Sequence, residues 1–226
     1  MDGVSQLTDS RPWNGADTTR GNPGADRTPV LLIVDPDPSA RRKVARSLAT
    51  RAIARTAGTV EHARRLLHEH PLAAVVLELD LEDGCAIALL GEVASETPRR
   101  PVLVVSGTDD ILRVSRACLL GASFVSKREP DVVLRRRIAE LVDRAQRRRG
   151  AAEVAVDGVC RAAKLTRAER EAVLAFVLTT DRGALRARLG IAETSVRSRV
   201  RGACRKLGIA HLHDVFRLLF DQAVAA

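Results

Sequence analysis

Three near-continuous aliphatic runs, VLLIV at 30–34, AAVVLEL at 73–79 and PVLVV at 101–105, constrain the fold more than any other feature of the chain. A strand without polar alternation is buried on both faces, which happens when helices cover both sides of a parallel sheet. Two weaker runs, AIART near 52–56 and SFVS at 123–126, complete a set of five. Stretches of about 10 to 15 residues with helical periodicity separate them. Residues 29–146 are therefore expected to form a five-stranded doubly wound parallel α/β sheet.

In such sheets the chemistry gathers at the carboxyl ends of the strands. Here those ends carry Asp35 and Asp37, then Glu78 and Asp80, then Ser106, then Lys127. Acids, a hydroxyl and a lysine on one edge suit a phosphoryl or divalent-metal site. Polar residues also end strands for no chemical reason, and spacing alone does not separate the two readings.

The last third has a different pattern. In AETSVRSRVRGACRKLGI, Val196, Val200, Ala203 and Leu207 recur at the spacing of a buried helical stripe, while Arg197, Arg201 and Arg205 stack one turn apart on the other side. Before it, residues 185–189 read as a short helix ended by Gly190, and a short turn follows. This is the layout of a helix-turn-helix, whose second helix enters the major groove. Further upstream, Thr166 and Glu169 have capping-box spacing ahead of an apolar-periodic run. The whole chain has a formal charge of +9, and from Arg161 onward thirteen basic residues stand against six acidic ones. The partner implied is a polyanion, most economically double-stranded DNA.

These residues resemble two families. LTRAEREAVL, LRARLGIA and TSVRSRVRGACRKLGI, about sixty residues together, resemble the DNA-binding domain of LuxR-type transcription regulators. The resemblance puts Ser195, Arg197, Ser198, Arg199, Arg201 and Arg205 at the DNA-contacting face, with Arg197, Ser198 and Arg201 where that family touches DNA. It also implies a final helix that packs on the domain and helps pair two copies, with Leu212, Val215, Phe216, Leu219 and Phe220 as its apolar face, giving a homodimer with two recognition helices. Ala192 stands where a capping Ser is usual, Arg199 replaces a His and Ala168 replaces an Arg. The lost cap costs about 1 kcal/mol, unless Thr194 caps one turn later.

The first 120 or so residues of the sheet region resemble the receiver domain of response regulators in two-component systems, which implies a flavodoxin-like strand order. Against that pattern, Pro36 stands in the second acidic position, Glu78 in place of the phosphoacceptor Asp, and Arg128 in place of a Pro. Asp35, Ser106 and Lys127 remain, and Phe124 holds the aromatic switch position. Proline's ring offers no side-chain oxygen to magnesium, so magnesium binding is not expected and no cofactor is implied. An extra methylene at the acceptor misplaces the carboxylate, and errors near 1 Å cost on the order of 100-fold. Glu78 is expected to reach toward Lys127 and Ser106 in the space of a phosphoryl oxygen, holding one state without a kinase. Asp80 is the alternative acceptor, since period-two geometry would point it to the same side as Glu78. A decaying pocket kept for folding or dimerisation is the other alternative.

Residues 1–28 read as a disordered tail, 147–163 as a linker and 164–226 as the helix-turn-helix domain. No apolar run approaches the roughly 20 residues of a membrane helix, and the start has no signal-peptide pattern, so a cytoplasmic protein is expected. The cysteines at 85, 118, 160 and 204 are scattered, with no metal-ligand spacing. There is no nucleotide-binding glycine loop and no nucleophile–base set, which argues against an enzyme. The sequence points to a sequence-specific DNA-binding transcription regulator with an atypical receiver not controlled by aspartyl phosphorylation. The alternatives are a protein-interaction module that docks a partner on the receiver, and a competent phosphotransfer component.

Overall fold

The computed structural model describes residues 28–48, 51–95, 99–179 and 182–224. The expected tail therefore falls, but for residue 28, outside the described residues. Strands β1 (Val30–Val34), β2 (Ile53–Ala57), β3 (Ala74–Leu77), β4 (Val102–Ser106) and β5 (Ser123–Ser126) form one parallel sheet in the order β2-β1-β3-β4-β5. β1, β3 and β4 are the three aliphatic runs, and they occupy the interior of the sheet. β2 is an edge strand, so its first residue Ile53 can stay half exposed.

Helices α1 (Pro38–Leu48), α2 (Val60–Glu69), α3 (Ala86–Ala94) and α4 (Ile111–Leu119) connect the strands. One face of the sheet buries Leu32, Val34, Val75, Leu77 and Val104 against α2, α3 and α4. The other buries Leu31, Ile33, Val76, Leu103 and Val105 against α1 and the start of α5. Alternate residues of each strand thus feed opposite layers, as period-two geometry requires.

The expected linker at 147–163 is corrected by α5, which runs unbroken from Asp131 to Ala162, 32 residues or about 48 Å of helix. Its first half buries Leu134, Ile138, Leu141, Val142 and Ala145 in the sheet core, and its second half buries Val156 and Cys160 in a separate helical core. Burial at both ends holds the helix through Gly150, a residue that costs about 1 kcal/mol in a helix interior. An Arg149–Glu153 ion pair of 2.9 Å, one turn apart, spans the same point.

The helical unit adds α6 (Arg167–Thr179), α7 (Arg182–Leu189), α8 (Glu193–Leu207), a 3-10 turn (Leu212–Asp214) and α9 (Val215–Val224). Thr166 and Glu169 form the capping box at α6: the Thr166 N–H donates to Glu169 Oε2 at 2.7 Å, and the Glu169 N–H to Thr166 Oγ1 at 3.3 Å. Gly190, at φ +60°, ends α7, and Gly208, at φ +66°, ends α8; both are left-handed positions that favour glycine. α8 begins at Glu193, so Thr194 lies inside its first turn and does not cap it, and the Ala192 N-cap supplies no side-chain acceptor. No helix among the described residues is long and apolar enough to cross a membrane.

Candidate functional site

At the carboxyl edge of the sheet, β1 delivers Asp35, β3 delivers Glu78, β4 ends on Ser106 and β5 leads into Lys127. Asp35 and Glu78 are 5% and 4% exposed and Ser106 is fully buried, so the two carboxylates need a counter-charge. Lys127 supplies it to both: its Nζ lies 2.6 Å from Asp35 Oδ2 and 2.5 Å from Glu78 Oε2. The other Glu78 oxygen accepts the Leu79 N–H at 2.7 Å and the Asp80 N–H at 3.1 Å. Both oxygens of Glu78 are thereby engaged within the protein.

The titration of the pair reflects this balance. Burial pushes the Glu78 carboxyl up, but hydrogen bonds from Lys127, Ser106 and the Asp80 backbone outweigh it, and the group rests below the ordinary glutamate value. Burial likewise pulls the Lys127 ammonium down, and its bonds to Asp35 and Glu78 reverse this and hold it above the ordinary lysine value.

Asp37 does not join them. It is exposed, and its carboxylate accepts the Ser39 N–H at 2.8 Å and the Ala40 N–H at 3.2 Å, which makes it the cap of α1. Its own N–H donates to Asp35 Oδ1 at 2.8 Å, so Asp37 fixes the loop through its backbone and leaves the pocket. Asp80 is also outside. β3 ends at Leu77, so strand alternation no longer governs Asp80, and its Oδ1 sits 2.5 Å from Arg113 Nη1 on α4. Arg113 also bonds the Leu79 carbonyl. Phe124 is half buried against the core under α2, α3 and α4.

The second cluster is the outer face of α8. Val196 and Ala203 are buried, and Val200 and Leu207 half buried, in the helical core, as their spacing predicts. Ser195, Arg197, Ser198, Arg201 and Arg205 are exposed, and Arg199 is half exposed with its Nη1 3.8 Å from Glu171. Arg197 pairs with Glu193 along the helix at 3.1 Å, while Arg201 and Arg205 have no carboxylate partner among the described residues. α7 packs on α6 and α8, and α2 of the sheet unit packs on α7, leaving the arginines of α8 open.

The final helix differs from expectation. Leu212 and Val215 are 3% and 0% exposed and belong to the helical core, with Phe216 and Leu219 packed against it. Leu212 and Val215 are therefore taken up within the chain, while Phe216 and Leu219 stay half buried. α9 lies on α5, and that contact takes part of its apolar side inward, while Phe220 is 68% exposed. His211 ends up in a cap, its N–H donating to Asp214 Oδ2 at 2.9 Å, and His213 stacks edge-on to Phe176 with ring centroids 4.8 Å apart.

One group of functional consequence was not evident from sequence. Glu169 Oε2 is 2.7 Å from Lys206 Nζ on α8, and a Cβ built on Gly202 would stand 2.5 Å from Glu169 Oε1. A carboxylate on α6 thus rests against the bare backbone of the arginine helix. No spacing rule links residues 169, 202 and 206 in advance.

No family model matches the chain. The photosynthetic apparatus regulatory protein RegA of Rhodovulum sulfidophilum is 31% identical over 101 residues, 44% of this chain and 55% of that protein. The match thus spans about half the length of that curated relative. The low-resolution structure of response regulator StyR superposes with a TM-score of 0.51 at 21% identity, over 86% of this chain and 99% of that one. The sheet unit has the response-regulator receiver fold. The CheY-like receiver domain protein from Methanospirillum hungatei JF-1 is 17% identical, covering 53% of this chain and 98% of its own, with a TM-score of 0.47. At the carboxyl edge of this sheet unit, two buried carboxylates share one lysine.

Proposed function

We propose that this protein is a sequence-specific DNA-binding transcription regulator of the LuxR type, whose receiver is held by internal ion pairs and works without aspartyl phosphorylation. The observation that carries the reading is the exposed row of Arg197, Arg201 and Arg205 on α8, the second helix of the α7–α8 turn. The relatives' names agree in kind: RegA is a regulatory protein and StyR a response regulator.

In the groove, the arginines supply charge-assisted bonds to phosphates and base edges, and Ser195 and Ser198 supply hydroxyls at the same face. Two copies would present two such helices to a dyad-symmetric site. Phe220, exposed on α9, is available to contribute to pairing.

The receiver contributes no phosphoryl chemistry in this account. Glu78 carries its carboxylate one methylene further out than an aspartate would, and that carboxylate is held in place by Lys127 at one oxygen and by two backbone N–H groups at the other. The residues do not fit a magnesium ion either. Asp35 and Glu78 already share the Lys127 ammonium, Pro36 has no side-chain donor, and Asp37 is committed to α1.

The test is the salt dependence of duplex binding. If a dimer neutralises about six phosphates, log K falls with log salt at a slope near −5. Changing Arg201 and Arg205 together to alanine removes about four phosphate contacts from such a dimer and flattens the slope in proportion. A slope unchanged by this pair of substitutions would refute the assignment of the face.

A second reading, a protein-interaction module, draws on α4, where Ile111, Leu112 and Leu119 are 78%, 79% and 84% exposed. Under it, alanine at Arg197 and Arg201 leaves partner binding intact.

A further inference from the structure

We infer that the groove between α1 and α5 is a binding site for a small phosphorylated anion of nucleotide size. The groove is open to solvent, offers about 510 Å³, and is lined from α1 by Arg42, Lys43 and Arg46, and from the first turns of α5 by Asp131 and Arg135. Ser39 and Ser47 complete the wall on the α1 side. The volume lies within the roughly 300–1,000 Å³ of small-molecule sites.

The spacing on α1 explains the arrangement. Val44 and Leu48 turn into the sheet core, which places residues 39, 42, 43, 46 and 47 on the outer side of the same helix. α5 packs alongside on the same layer and presents its amino-terminal turn, where the helix dipole favours negative charge.

The charge in the groove is unbalanced. Lys43 Nζ is 2.6 Å from Asp131 Oδ1, which uses the one carboxylate present. Arg42, Arg46 and Arg135 have no ion pair with any carboxylate among the described residues, and all three are exposed. Three guanidinium-bearing side chains lining one cleft give it a positive charge that a bound anion would neutralise. Their planar donor forks suit phosphate oxygens in bidentate geometry, whereas the Ser47 hydroxyl already donates to the Lys43 carbonyl at 3.0 Å. Neither the Lys127 pocket nor the α8 face makes use of these residues, so the inference is independent of the proposed DNA binding. A duplex backbone is the competing polyanion, but a concave cleft of this volume between two helices favours a compact ligand.

The experiment is calorimetric titration of the full-length protein with ATP and with inorganic tripolyphosphate. Saturable binding of either probe is expected, weakened by about tenfold or more when Arg42, Arg46 and Arg135 are changed together to alanine. The same triple variant should keep its thermal midpoint, because the three side chains are exposed, and should keep duplex binding. Changing Arg201 and Arg205 to alanine should leave probe affinity unaltered. The inference is overturned by the absence of saturable binding of both probes, by equal losses in the two variants, or by a triple variant that loses duplex binding instead.

Discussion

Gly202 on α8 faces Glu169 on α6 so closely that a methyl group at position 202 would stand 2.5 Å from the carboxylate oxygen. The carboxylate cannot swing away at no cost. It is held by Lys206 at 2.7 Å and by the Thr166 N–H and hydroxyl at 2.7 and 2.9 Å. Gly202→Ala should therefore destabilise the protein by about 1–2 kcal/mol, although alanine alone favours a helix by about 1 kcal/mol. In a Glu169→Ala background the clash is gone and the same change should stabilise. Urea denaturation of the four proteins of this cycle checks the reversal of sign.

Glu169 also predicts an acid limb. Its hydrogen bond from Lys206, then the one from the Thr166 backbone, bring its carboxyl down from 4.5 to about 2. A lowered folded-state value means that the stability it contributes is fully present above the unfolded value near 4.5 and disappears as pH falls toward 2. Glu169→Gln should flatten the pH dependence of stability in that window, as followed by denaturant midpoints.

At the receiver pocket the two ends of the pH scale have opposite signs. Glu78 lies below its ordinary value, so its contribution is lost as acid protonates it; Lys127 lies above its ordinary value, so its contribution is lost as pH rises through its folded value. Lys127→Met would leave Asp35 and Glu78 buried without a counter-charge, costing about 3 kcal/mol at neutral pH. Its stability maximum should shift to lower pH, where protonation relieves the two acids. Denaturant midpoints of wild type and variant across pH test this.

Thiol reactivity should divide the four cysteines in two. Cys85 and Cys118 are exposed, whereas Cys160 and Cys204 are buried. Burial pushes the Cys160 thiol up to about 11, so little of it is thiolate at neutral pH. A disulfide reagent should titrate two thiols rapidly in the native protein and the other two only after denaturant is added.

How much of this was legible in the sequence depends on whether a feature is periodic. Continuous aliphatic runs and the Val196-Val200-Ala203-Leu207 stripe report burial directly, so the sheet, its helices and the arginine face could be read from pattern. The Thr166–Glu169 capping box was readable for the same reason, being local. Asp37 was placed in the pocket because it lies two residues from Asp35, but backbone N–H groups at the start of α1 attract it more strongly than a pocket that already holds two carboxylates. The unbroken α5 was hidden by Gly150 and by charge, since two cores hold the helix from opposite ends. At α9 an apolar stripe does not disclose which of its residues a neighbouring helix covers, and Leu212 and Val215 proved to be the buried ones. The Glu169 contact with Gly202 is long-range and leaves no periodic trace.

The central claim is that the arginine face of α8 reads DNA while the receiver is held by Glu78 and Lys127. It is tested most directly by selecting purified full-length protein, without phosphodonor or magnesium, against a random duplex library at moderate salt and sequencing the retained DNA. The account predicts convergence on an inverted repeat. Salt-sensitive retention with no sequence convergence, or convergence that appears only after treatment with a phosphodonor and magnesium, would contradict it.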